Sequence, residues 1–87
     1  MCAERILDVC HLEQPEPLLR ALAALSELAT GDFLHLLSNR DPVLLYSMLT
    51  QQGFAYARLA DRAETIEVLI WRAGDALAEQ AVRDLSA

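Results

Sequence analysis

Two segments of helical periodicity dominate the sequence, and each is opened by a proline and followed by a glycine. The first runs from Pro15 to Gly31, and the second runs from Pro42 to Gly53. Proline suits the first turn of a helix, where a missing N–H has no intrahelical partner, and glycine suits the residue that ends one. A chain of 87 residues has room for one domain. The two helices therefore share one small domain, and the remaining segments must supply its other layer.

Four short apolar runs outside these helices are typical of β-strands. In the last run Ile66, Val68 and Ile70 alternate with Glu67 and Leu69, which is the period of a strand with two different faces. The polar sequence DRAE before it predicts a hairpin with the preceding run. The four runs are RILDVC at 5–10, DFLHLL at 32–37, FAYARLA at 54–60 and TIEVLIWR at 65–72.

The element order predicts an α/β (α+β) two-layer sandwich with the sequence β-α-β-α-β-β. We expect a four-stranded mixed sheet with two helices on one face. A single domain is expected over 1–87, with a core at about 5–72 and a C-terminal extension at 73–87. Asp41 is a suitable N-cap for the second helix. Asp75 could cap an extra C-terminal helix with Leu77, Ala81 and Leu85 on one side.

Charge and hydropathy make two classes of partner unfavourable. Thirteen acidic residues face seven basic ones, giving a net charge of −6, and all seven bases are isolated arginines. Without a basic stripe, the chain offers no favourable surface to nucleic acid or to an anionic membrane. No apolar run approaches the roughly 20 residues of a membrane span. The N-terminal residues lack the pattern of a signal peptide, so we expect a cytoplasmic protein.

The stretch LDVCHLEQPEPLLRALAAL, residues 7–25, resembles the N-terminal signature of the TusA/SirA-like superfamily. That signature has a Leu-Asp strand followed by Cys-Pro-x-Pro at the start of the first helix. The second helix ending in QQGF and the hairpin ending in IWR agree with it, so the resemblance covers about 5–72. It is especially similar to an uncharacterised branch that lacks the motif cysteine. The resemblance implies a two-layer sandwich on which, in the carriers, the cysteine accepts persulfide sulfur and passes it on.

Gln14 stands where the superfamily has its reactive cysteine, and His11 replaces the usual glycine. A helix N-terminus stabilises a thiolate, which explains why a carrier places its cysteine there. An amide cannot carry sulfane sulfur. The resemblance therefore implies that the scaffold is kept and its usual chemistry is absent.

A ligand edge is the first candidate site. If the first two strands are parallel, both helices start at the same edge of the sheet, where open α/β sheets bind ligands. A small anion could meet Arg40 there, although Glu13 and Glu16 would oppose it and the residues could equally be ordinary caps and turns. The candidate residues are His11, Gln14, Pro15, Pro17, Asn39 and Arg40.

Cys10 is the candidate thiol, either as a displaced sulfur acceptor or as a small buried side chain at the end of the first strand. Cys10, His11 and His35 lack the spacing of a metal motif, so neither a metal nor another cofactor is expected. No catalytic Ser/His/Asp or Cys/His set is discernible, which favours a protein without enzymatic activity.

The second candidate site is the face of the sheet away from the two helices. Phe33, His35 and Trp71 should point to that face, leaving apolar surface that commonly marks an interface. A partner protein, a second copy of the chain or the C-terminal helix could cover it.

Two functions follow from these observations. One is a non-enzymatic protein-interaction or small-ligand-binding domain on a sulfur-carrier-like scaffold. The other is a sulfur relay that uses Cys10, and the exposure and ionisation of that thiol distinguish the two.

Overall fold

The computed structural model of the chain describes residues 4–13, 16–59 and 65–86. Within these ranges the elements follow the order β-α-β-α-β-β-α, which confirms the predicted order and adds the C-terminal helix. The elements are β1 (Glu4–Asp8), α1 (Glu16–Ser26), β2 (Phe33–Ser38), α2 (Val43–Gln51), β3 (Phe54–Arg58), β4 (Ile66–Arg72) and α3 (Ala76–Ser86).

The strands form one mixed sheet in the spatial order β1-β2-β4-β3. β1 and β2 are parallel, with Ile6 opposite His35, whereas β4 is antiparallel to both β2 and β3. The predicted hairpin is therefore the β3–β4 pair. The parallel pair directs the chain after β1 and the chain after β2 to the same edge of the sheet.

The main core lies between the sheet and the two helices α1 and α2. Leu34 and Leu36 from β2 pack in it with Leu25 from α1 and Leu49 from α2, and each of the four is 1% exposed. Fully burying a leucine stabilises a fold by roughly 1.5–3 kcal/mol, so these contacts are a large share of what a small domain can gain. Both helices therefore lie on one face, as predicted.

α3 covers part of the opposite face, where Val82 packs against Phe33 and Leu69. The expected packing side of this helix was wrong: Ala78 and Val82 are buried, while Leu77 is 56% and Leu85 is 45% exposed. Bulky side chains of the sheet already fill this face. The smaller stripe of the helix fits against them better than its leucine stripe does.

The helix ends differ from expectation at two places. α1 ends at Ser26, five residues before Gly31. The N-cap of α2 is Pro42 without a side-chain capping bond, so the predicted cap by Asp41 is wrong. The Asp41 carboxylate instead lies 3.4 Å from the guanidinium of Arg58 on β3. Gly53 has a φ of 82°, a conformation that favours glycine, and it ends α2 as predicted.

None of the helices in the described part of the chain is long and apolar enough to cross a membrane.

Candidate functional site

The candidate site lies at the edge of the sheet where β1 and β2 both end. The chain after β1 makes a tight turn rather than continuing as a strand, so Cys10 lies two residues beyond the strand's last residue. The N–H of Val9 still donates to the carbonyl of Leu37 at 2.8 Å, and the N–H of Leu12 donates back to the carbonyl of Val9 at 3.1 Å. These two bonds fix the start of the loop.

Asp8 holds the turn from the end of β1. Its Oδ1 accepts a 3.0 Å hydrogen bond from the backbone N–H of Cys10. This bond stabilises the carboxylate and lowers the pKa of Asp8 below its ordinary value. Cys10 and His11 therefore lie in a turn, and the strand predicted over 5–10 ends at Asp8.

The loop after β2 is held by Ser38. Its buried hydroxyl donates to the carbonyl of Arg40 at 2.8 Å and accepts from the N–H of Arg40 at 3.2 Å. A serine side chain that bonds the backbone two residues ahead is a common way to stabilise a turn. The loop Ser38–Arg40 is thus shaped by its own side chain.

Between the two loops lies an open pocket of about 500 Å³. Four predicted site residues, His11, Pro17, Asn39 and Arg40, are brought together in its lining, and so is Cys10. Sequence reasoning did not single out Leu12, which provides an apolar part of the lining and packs against the main core. The residues next to Leu12 in the sequence form no pattern that predicts its place in the pocket lining. The lining residues are Cys10, His11, Leu12, Glu13, Pro17, Ser38, Asn39 and Arg40.

Arg40 is the main cationic group of the pocket, and it is exposed. Other arginines have acidic partners: Arg5 pairs with Asp32, Arg58 with Asp41 and Arg83 with Glu79. Among the described residues no carboxylate lies within ion-pair distance of the Arg40 guanidinium. Glu13 is the only carboxylate in the described lining. The pocket can therefore offer guanidinium, amide and imidazole groups to a polar ligand.

Cys10 is half-buried and lines this pocket. Burial raises its pKa above the ordinary value, the neighbouring Asp8 raises it further, and Thr65 acts weakly in the opposite direction. At neutral pH the thiol is therefore mostly protonated. This is the reverse of the ionised thiol that nucleophilic or sulfur-accepting chemistry requires.

The other predicted site residues are placed elsewhere. Gln14 and Pro15 lie outside the described residues. Phe33 is buried beneath α3, and Trp71 is partly buried against the same cluster. His35 lies on that face as predicted, between the carboxylates of Glu4 and Glu67. The C-terminal helix is thus one occupant of the face, and contact with a partner protein through the rest of it stays a prediction.

No group of three or more His, Cys, Asp or Glu side chains within residues 4–13, 16–59 and 65–86 is arranged to hold a metal ion.

Comparison with known structures defines the class of protein. The fold is similar to the crystal structure of the SirA-like protein from Desulfitobacterium hafniense, with a TM-score of 0.66 and 27% sequence identity. The similarity covers 80% of this chain and 95% of the other. The chain thus has the SirA-like fold that its N-terminal motif indicated.

The family follows from residues 6–72, which match the model of a family described as "Uncharacterized conserved protein (DUF2249)". The chain belongs to that family, and to the SirA-like superfamily through its fold. No curated protein matches the chain. The family match ends with β4, so α3 lies beyond it.

Proposed function

We propose that this chain is a non-enzymatic binding domain on a sulfur-carrier-like scaffold, and that its pocket binds a small ligand that carries an anionic group. The observation that carries the proposal is the pocket at the shared edge of β1 and β2, with Arg40 in its lining. Parallel strands that end at one edge create the place where open α/β sheets bind their ligands. The same edge carries the sulfur-accepting cysteine in the carriers that the N-terminal motif resembles.

The lining indicates the chemistry of the ligand. A guanidinium offers several N–H donors to a carboxylate or a phosphate, and such charge-assisted hydrogen bonds are stronger than neutral ones. Asn39 and His11 can add hydrogen bonds at the rim. Glu13 would repel a multiply charged anion. A ligand with one anionic group and one donor or cationic group, such as an amino acid, therefore fits the lining better than a polyphosphate.

The proposal is tested by calorimetric titration of the purified protein with free amino acids and small monocarboxylates. Replacing Arg40 by Gln (R40Q) removes the anchoring charge, so binding should weaken about 10-fold or more, equivalent to roughly 1.4 kcal/mol. The matched control is R83Q, which makes the same charge change at an exposed position of α3. Equal affinities of R40Q and R83Q, or no binding of any compound by the unmodified protein, would contradict the proposal.

The alternative function is a sulfur relay through Cys10. In its favour, Cys10 lines the pocket where a partner's sulfur could arrive. Against it, burial raises the pKa of the thiol, and the residue precedes α1 by six positions. It is therefore not in the first turn of the helix, where the motif places a carrier's cysteine and where the helix dipole acts most strongly. The alternative requires a reactive thiol, and the surroundings of Cys10 work against one.

A further inference from the structure

A histidine lies between two carboxylates on the face of the sheet opposite α1 and α2. His35 on β2 has its Nδ1 2.6 Å from Oε2 of Glu4 on β1. Its Nε2 lies 2.8 Å from Oε1 of Glu67 on β4. The three side chains, here called the His35 clasp, connect an edge strand to the two central strands. They lie away from the pocket, and the proposed function makes no use of them.

The clasp is partly shielded from water. The side chains of His35 and Glu67 are 14% and 15% exposed, and that of Glu4 is 34% exposed. Pleating places the apolar side chains of Ile6, Leu37 and Leu69 on the same face beside it. In such surroundings a polar contact that is not a hydrogen bond costs more than it would in water.

Other charged groups that the structure describes on this face have partners away from the ring. Asp8, further along the same side of β1, accepts the N–H of Cys10. α3 packs on the face through Ala81 and Val82, and its Glu79 and Arg83 form an ion pair at 2.6 Å. β4 contributes Glu67 itself. Among residues 4–13, 16–59 and 65–86, the charged groups in hydrogen-bond contact with the ring are thus the carboxylates of Glu4 and Glu67.

The number of protons in the clasp follows from its geometry. A neutral imidazole has one N–H and one lone pair, and an ionised carboxylate can only accept. With two ionised glutamates, a neutral ring would point its lone pair at a carboxylate oxygen less than 3 Å away. Both contacts are hydrogen bonds only if the clasp holds one more proton. Imidazole is the stronger base, with an ordinary pKa of about 6.5 against about 4.3 for glutamate, so the ring takes that proton.

We infer that His35 is a doubly protonated imidazolium at neutral pH and fastens β1 to β4 across β2 in a proton-dependent way. Loss of the proton at higher pH turns one of the two hydrogen bonds into a repulsive contact. β1 runs directly into the turn at Cys10 and His11. The clasp therefore stabilises the position of β1, which leads into the turn that lines one side of the pocket.

The protonation state is tested by nitrogen NMR of the ring at about pH 7.5, where an unperturbed histidine is mostly neutral. His11→Gln leaves His35 as the one histidine in the spectrum. We expect both ring nitrogens of His35 to carry hydrogen. In Glu67→Gln the introduced amide can donate to Nε2, so the ring should become neutral with one N–H. A bare ring nitrogen in the unmodified clasp at this pH would overturn the inference.

The free energy of unfolding provides a second test of the inference. Relative to Glu27→Gln, the same charge change at an exposed position, Glu67→Gln should lower the free energy of unfolding at about pH 6. At about pH 9 the loss should vanish or reverse, because the unmodified clasp has then lost its proton while the amide still donates. An equal loss at both pH values would also overturn the inference.

Discussion

Asp75 shows how much a single side chain contributes to this small fold. Its Oδ2 accepts the N–H of Gly31 at 2.8 Å, and its Oδ1 accepts the N–H of Ala78 at 3.2 Å. It therefore caps α3 and at the same time ties the helix to the segment before β2. The bond from Gly31, followed by that from Ala78, holds the pKa of the carboxyl below its ordinary value.

A pH dependence follows from that shift. Because the folded pKa lies below the unfolded one, the unfolded state binds more protons and Asp75 stabilises the fold above the ordinary aspartate pKa. Asp75→Ala should therefore lower the unfolding midpoint in denaturant at neutral pH. The difference from the unmodified protein should shrink as the pH falls below about 4, where the carboxyl becomes protonated.

Asp84→Ala is the matched control for Asp75→Ala. Asp84 is an exposed carboxylate on the same helix that accepts a hydrogen bond from the nearby Gln80 side chain at 2.9 Å. If both variants lose the same stability at every pH, the role given to Asp75 in holding α3 is wrong.

At the scale of elements, the docking side of α3 can be tested by truncating one residue from each of its two apolar stripes. Val82 is 3% exposed, so Val82→Ala should cost about 1–3 kcal/mol of unfolding free energy through lost burial and an internal cavity. Leu77→Ala removes a side chain that is 56% exposed and should change stability by less than about 0.5 kcal/mol. Denaturant unfolding of both variants measures the difference. A larger loss for Leu77→Ala would reverse the assigned packing side.

The sequence predicted best the elements that are flanked by proline and glycine or in which apolar residues alternate along a strand. Pro42 and Gly53 bracket α2, and the alternation of Ile66, Val68 and Ile70 assigned the core face of β4. The docking side of α3 was missed because its helix has two apolar stripes. The choice between them depends on the shape of the sheet, which no local pattern encodes. The cap predicted at Asp41 was wrong for a similar reason, since the partner of its carboxylate, Arg58, is distant in sequence.

The sequence predicted some residues of the candidate site but not the shape of the pocket. Helix starts and strand order placed His11, Asn39 and Arg40 at one edge, because parallel strands end together. The pocket's inner wall depends on the turn at Cys10 and on Leu12, and both follow from hydrogen bonds to Asp8 and Val9. The sequence also placed His35 on the second face. It could not show the two glutamates that meet its ring, since they come from strands far apart in sequence.

At the scale of the whole molecule, the chain has the SirA-like fold, and its resemblance to the carrier motif predicts that the reactive cysteine of that motif is absent. The sheet, α1 and α2 form the core, and the shared edge of β1 and β2 still opens into a pocket. The resemblance to the carrier motif predicts Gln14 at the position of the motif cysteine, and burial raises the pKa of the Cys10 thiol in the pocket. The pocket at this edge supports the proposed ligand-binding function.

The most direct test of this account is to incubate the purified protein with a persulfide donor and to locate any added sulfur by mass spectrometry. A Gln14→Cys variant serves as the positive control, because it restores the thiol of the carrier motif and should be sulfurated. We expect no stable, stoichiometric sulfuration of the unmodified chain, because the pKa of Cys10 is raised by its surroundings. Stoichiometric sulfuration at Cys10, abolished by Cys10→Ala and retained in Cys2→Ala, would contradict the account and make the chain a sulfur relay.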